Sequence, residues 1–144
     1  MFSVAISTEF EAAHRLLKHQ GKCQYLHGHN WEVIVRVGSH ALNDHGMVVD
    51  FFDIKRLVKT WIGDHLDHGI LLNEADPLVE ILAQFAKNGH AYTFNDDPTS
   101  EVIAKHLYTL FSGHIRDLLG KDMHSLLAVT VRETRRVEAT YDGL

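Results

Sequence analysis

The 144-residue sequence predicts an α+β fold with helices laid on one face of an antiparallel sheet. Two observations carry that expectation. Apolar residues alternate near both ends of the chain, and they switch to three-and-four spacing in two middle stretches. The resulting order is strand, strand, helix, helix, strand, strand. Phe2, Val4 and Ile6 alternate and Phe10 follows, which predicts a first strand over residues 2–13. In a second strand, Trp31, Val33, Val35 and Val37 alternate with Glu32, Ile34 and Arg36, and His29 lies near its start. A turn at Asn43, Asp44, His45 and Gly46 leads into residues 47–50, a short strand or strand end.

The period then changes. Ile54, Leu57, Val58, Trp61, Ile62 and Leu66 mark an amphipathic helix over residues 53–66, with Asp53 suited to cap it. Val102, Ile103, Leu107, Leu110, Phe111, Ile115 and Leu118 share one side of a second helix over residues 99–119, capped by either Asp97 or Thr99. Strands over residues 126–133 and 137–141 close the chain. Residues 74–97 read as an insertion. Within it, Asp76 and Pro77 open a short extra helix, Leu78, Ile81, Leu82 and Phe85 line one face, and Gly89 is placed to end it. The pattern contains no repeat, linker or low-complexity stretch, so residues 1–144 are expected to form a single domain.

Composition narrows the function classes. A hydrophobic share of 45% with only 2 prolines suits a compact chain that buries a core without disulfides or other staples. A net charge of −5 argues against a broad nucleic-acid footprint. Arg15, Lys18 and Lys22 crowd one loop, as either a local anion site or a solvated charged loop. The single cysteine cannot form an intrachain disulfide, which favours a reducing compartment. With no signal-peptide pattern and no apolar run of membrane length, the expectation is a soluble cytoplasmic protein without nucleic-acid or membrane partners.

The chemistry concentrates around His14, Cys23, His27 and His29. A His-x-His pair at the start of a strand puts two imidazoles on one face, because side chains alternate with period two. With a third imidazole from a neighbouring strand, they make a zinc site with an open fourth position, the arrangement of a catalytic metal. Cys23 is then a fourth ligand that closes the site, a base and nucleophile beside an open metal, or an inert core thiol. Its polar flanks, Lys22 and Gln24, weaken the last of these.

Two further groups stand out. Asp67 and His68 form a carboxylate–imidazole dipeptide suited to proton transfer, and Asp64 and His65 just upstream repeat the pattern, so sequence alone does not choose between them. Glu133 closes the strand Val129, Thr130, Val131, Arg132, and a carboxylate there matches a planar, guanidine-like donor edge such as that of a pterin or guanine ring.

Several ordered motifs together resemble the 6-pyruvoyl-tetrahydropterin synthase family, and its 6-carboxy-tetrahydropterin synthase branch of queuosine biosynthesis in particular. They are Phe10 to His14, Cys23 with Leu26 to Asn30, Gly46 to Phe51, Leu66 to His68 with Leu72 and Asn73, Pro98 to Glu101, and Val131 with Glu133 and Thr134. The resemblance implies a tunnelling fold: a four-stranded antiparallel sheet with two helices on one side, assembled into a barrel. It also implies a homohexamer built from two trimers, with active sites between subunits. Carried over by position, His14, His27 and His29 hold Zn2+, Cys23 accepts a proton, and His68 supported by Asp67 relays protons. Glu133 anchors the pterin and joins the proton relay, and Thr99 and Ser100 lie where the family touches the pterin. The implied substrate is a pterin triphosphate. Compact bacterial members cross from Leu-Asn to Pro-Thr by a much shorter loop than residues 74–97.

Overall fold

The computed structural model describes residues 1–119 and 125–144. Its spine is a long ribbon of two strands, β1 (Phe2–His14) and β2 (His27–Ser39). They pair antiparallel over their whole length, with Phe2 opposite Ser39, Ala12 opposite His29 and His14 opposite His27. The chain continues through α1 (Phe51–His65), β3 (Gly69–Asn73), α2 (Leu78–Leu82), β4 (Ala91–Phe94), α3 (Ser100–Leu119), β5 (Ser125–Thr134) and β6 (Val137–Tyr141). A 3₁₀ turn at Lys22–Gln24 lies in the β1–β2 loop.

The sheet has the order β4-β3-β1-β2-β5-β6. It is six-stranded and mixed, because β3 runs parallel to both β1 and β4, and so differs from the expected four antiparallel strands. The added strands gave no alternating signal for a physical reason. Leu71, Leu72 and Asn73 are all buried, so β3 reads as a continuous run. β4 is only four residues long. Residues 47–50 also depart from expectation: they form no strand but lead into α1, burying Val48 and Val49. The cap of α1 is Asp50, whose Oδ1 accepts from the Phe52 amide at 2.8 Å. Asp53, expected as the cap, instead sits in the first turn, where its charge suits the positive end of the helix. Thr99 caps α3, its Oγ1 accepting from the Val102 amide at 3.3 Å.

Alternation builds the core on one face of the sheet. Phe10 and Ala12 of β1, Trp31, Val33, Val35 and Val37 of β2, and Val129 and Val131 of β5 are buried against the helices. From α1 come Ile54, Val58 and Ile62, and from α3 Ile103, Leu107, Phe111 and Ile115. On the opposite face Ser7, Glu9, Glu11, Asn30 and Arg36 are exposed. Among the described residues, no helix is long and apolar enough to cross a membrane.

The segment 74–97 contains the anticipated short helix, α2, but its Ile81 and Phe85 remain exposed instead of packing inward. What ties this segment down is ionic. Arg15 Nε donates to Asp76 Oδ2 at 2.6 Å, and Arg15 Nη2 pairs with Oδ1, which also accepts from the Leu78 amide at 2.8 Å. The Arg15 guanidinium therefore holds the fully buried Asp76 carboxyl below its ordinary value of 3.8.

A carboxyl whose pKa is lowered on folding adds stability that is complete above its unfolded pKa and is lost as the pH falls through its folded one. Arg15→Met is therefore expected to cost about 3 kcal/mol at pH 7, because it strands a buried carboxylate. Urea unfolding at decreasing pH should show the gap between variant and parent closing as the pH falls through the carboxylate range, because the stranded carboxyl of the variant takes up a proton before the paired one of the parent does. A gap independent of pH would rule the ion pair out as its source.

Candidate metal centre

His14 ends β1 on the same face as Phe10 and Ala12, and His27 and His29 begin β2 on the same face as Trp31. The cluster is thus the polar end of the core. Trp31 joins the two, its ring meeting those of His14 and His29 edge-on at centroid distances of 4.9 and 5.3 Å. Its Nε1 donates to the Ala12 carbonyl at 3.1 Å. Glu133 arrives from β5 at a bulge: Arg132 pairs with Glu138 and Thr134 with Val137, which leaves Glu133 as the extra residue, turned to the same side. The ligand atoms of His14, His27, His29 and Glu133 all lie within 4.8 Å of one another.

Hydrogen bonds fix the tautomers. His14 Nδ1 lies 2.9 Å from the Pro98 carbonyl, and His27 Nδ1 lies 2.6 Å from the Tyr25 carbonyl. A carbonyl only accepts, so each Nδ1 carries the proton and each neutral ring turns a lone pair outward from Nε2. These two Nε2 atoms are 3.1 Å apart. Two lone pairs at that separation repel unless a cation lies between them. His29 Nε2 is 3.0 Å from Glu133 Oε1 without forming a hydrogen bond to it, and it is buried with no hydrogen-bond partner among the described residues. An orphaned buried nitrogen beside convergent lone pairs suits a metal. Burial also holds His14 and His29 below their ordinary value of 6.5, against the upward pull of the Glu133 charge. Both rings are thereby kept in the neutral, metal-binding form.

The other candidate residues have distinct places. Asp67 and His68 are the bonded dipeptide, with His68 Nδ1 3.0 Å from Asp67 Oδ2. Asp67 Oδ1 accepts from the Glu11 amide at 3.0 Å, and that bond is the main reason its carboxyl is held below 3.8. In the competing dipeptide, His65 instead turns to the Trp61 carbonyl at 2.8 Å and stacks on the Trp61 ring. The turn at His68 is tight. Its φ is +60°, and a Cβ at the next residue, Gly69, would fall 2.8 Å from the Leu66 carbonyl oxygen and 2.9 Å from that of His90. His68 and His29 both line a cleft of about 460 Å³, with Glu11 and Asn30. A slightly larger apolar groove of about 480 Å³ between α1 and α3, lined by Leu57, Trp61, His114 and Leu118, takes in Asp64 and His65 of the competing dipeptide but no member of the histidine–Glu133 cluster.

Cys23 is half-buried in the 3₁₀ turn, and its carbonyl accepts from the Leu16 amide at 2.8 Å. Among the described residues, the fourth donor gathered with the histidines is Glu133 and not Cys23. Thr99 and Ser100 stand at the start of α3, immediately after Pro98, whose carbonyl holds His14. The carbonyls of Pro98 and Tyr25 were invisible to sequence reading, since every residue has one and only the tertiary fold aims it.

A model of the 6-pyruvoyl tetrahydropterin synthase family matches residues 3–144. The chain belongs to this family. It is accordingly a tetrahydropterin synthase-type lyase. A 6-carboxy-5,6,7,8-tetrahydropterin synthase of Rickettsia bellii is 38% identical over 99 residues, 69% of this chain and 72% of that protein. One of Aquifex aeolicus is 29% identical over 97% of both chains. In fold, the chain is similar to an uncharacterized protein of Wolinella succinogenes, with a TM-score of 0.85 and 23% identity over 99% of this chain and 98% of that one. It is also similar to 6-pyruvoyltetrahydropterin synthase of Plasmodium vivax, at 0.76 and 21% over 97% and 96%.

If the convergent lone pairs hold a metal, zinc at about a hundred times its dissociation constant should stabilise the protein by about 2.7 kcal/mol. Differential scanning fluorimetry should show that rise for the parent chain and lose it in His14→Ala. An equal rise in the variant would remove His14 from the site.

Proposed function

We propose that this protein is a zinc-dependent lyase that converts 7,8-dihydroneopterin triphosphate to 6-carboxy-5,6,7,8-tetrahydropterin, acetaldehyde and triphosphate. This is a cytoplasmic step of queuosine and 7-deazapurine biosynthesis. The observation that carries the reading is the convergence of His14 and His27 Nε2, each ring oriented by a carbonyl behind it. Relatives named for the carboxy reaction, 38% identical in Rickettsia bellii, support that branch. The solved 6-pyruvoyltetrahydropterin synthases of similar fold keep a second reading open, loss of triphosphate without release of acetaldehyde.

His14, His27 and His29 would hold the zinc, which when bound polarises substrate hydroxyls and makes the adjacent carbon easier to deprotonate. The protein's own residues divide the remaining work. Cys23, on the loop between β1 and β2, is the proton acceptor. His68, its Nδ1 turned to Asp67, lines the cleft and serves as the proton relay. Glu133 receives the donor edge of the pterin through its carboxylate. Thr99 and Ser100 contribute at the start of α3. The exposed sheet face and the edge strands β4 and β6 are the surfaces through which a homohexamer of two trimers would close.

Incubating zinc-loaded protein with 7,8-dihydroneopterin triphosphate should yield acetaldehyde and 6-carboxy-tetrahydropterin in equal amounts. Triphosphate without acetaldehyde would move the assignment to the pyruvoyl branch. Cys23→Ala should lose at least a hundredfold in kcat while keeping its zinc. Full turnover in that variant would end the proton-acceptor role. Glu133→Gln is expected to retain zinc and raise KM, whereas loss of zinc would make Glu133 a ligand instead.

A further inference from the structure

We propose that the buried side-chain pair Asn73–Asp97 is a positioning element for the metal ligand His14, acting through the Pro98 carbonyl. The inference rests on the reading of His14 as a ligand. Asn73 ends β3 and Asp97 precedes α3, and they are only 4% and 7% exposed. Asn73 Nδ2 donates to Asp97 Oδ1 at 2.9 Å. The second carboxylate oxygen, Oδ2, accepts from the Lys18 amide at 2.8 Å, and Asn73 Oδ1 accepts from the Ala75 amide at 2.9 Å.

One carboxylate therefore ties together three segments: the end of β3, the loop after β1, and the entry to α3. The next residue along the chain is Pro98. Its ring restricts φ, and it has no amide of its own to satisfy. On its far side, the Thr99 amide donates to the Asp97 carbonyl at 2.8 Å, and Thr99 caps α3. With Asp97 fixed before it and the helix fixed after it, the Pro98 carbonyl has little freedom. It is this oxygen that takes the His14 Nδ1 proton at 2.9 Å and leaves Nε2 as a lone pair for the metal. The Lys18 bond extends the same control to the loop that carries Cys23, where the Leu16 amide reaches the Cys23 carbonyl.

The chemistry of the pair supplies its own test. Lys18 and Ala75 each bring a donor, and the two side chains share one more hydrogen bond. An amide and a carboxylate satisfy all three, and they do so in either order. Two amides leave one donor facing another; two carboxylates set acceptor against acceptor in a buried place.

Zinc affinity can be measured by competition with a chromophoric chelator on the full chain, for the parent, Asp97→Asn, Asn73→Asp and the exchanged double variant. Each single variant should bind zinc about 10- to 100-fold more weakly, and the exchange should recover most of the loss. The zinc-induced rise in melting temperature should shrink and return in parallel, which separates positioning from a general loss of stability. Parent affinity in both single variants, or an exchange no tighter than the singles, would overturn the inference. A parent chain that binds no zinc would instead overturn the metal reading on which it rests.

Discussion

The antiparallel register of β1 and β2 is the constraint on which the rest depends. With His14 opposite His27 and Ala12 opposite His29, three imidazoles fall on the face that farther along the same ribbon holds Phe10, Trp31 and Val33. Shifting one strand by a single residue would turn its histidines to the opposite face and its apolar residues into solvent. The same burial that stabilises the sheet therefore sets the geometry of the site. Core and site are one ladder, with Trp31 packed at the point where apolar side chains give way to imidazoles.

Around that ladder, the site is built from backbone acceptors more than from partner side chains. Carbonyls of Pro98 and Tyr25 hold two of the rings by their far nitrogens, and burial keeps His14 from gaining a proton despite the charge of Glu133. The result is an apolar-walled cluster of neutral donors with one carboxylate. Such a set satisfies itself poorly without a cation, as the orphaned His29 Nε2 makes plain. The cleft beside it brings the exposed His68 to the wall shared with His29, so the Asp67–His68 pair and the imidazole cluster open onto one space.

The segment 74–97 changes meaning in three dimensions. Read along the chain it is an insertion; in the sheet it contributes β4, which pairs with β3, and it is anchored by Asp76 at one end and Asp97 at the other. Both carboxylates reach the loop that follows His14, through Arg15 and through the Lys18 amide. His90, within the same segment, has Nε2 2.9 Å from the Asp67 carbonyl, beside the turn that presents His68. The segment thus buttresses both halves of the site.

By itself the sequence determined the alternating faces of β1, β2 and β5, the two long helices, the three histidines that share a face, and the family through its ordered motifs. These depend on local periodicity and on residue type, which are written in the chain. The tertiary structure decided the rest. It placed β3 and β4 in the sheet, because a run buried on both faces has no period to read and a strand of four residues is too short to show one. It made Asp50 the cap of α1 in place of Asp53, since the cap follows from where the chain turns. It joined Asp67 to His68 and turned His65 back onto the Trp61 carbonyl, because only the first dipeptide leaves the helix and meets Glu11. It also brought Glu133 to the histidines through a bulge, and aimed the Pro98 carbonyl at His14 across 84 residues of chain, contacts that arise only when distant segments are packed together.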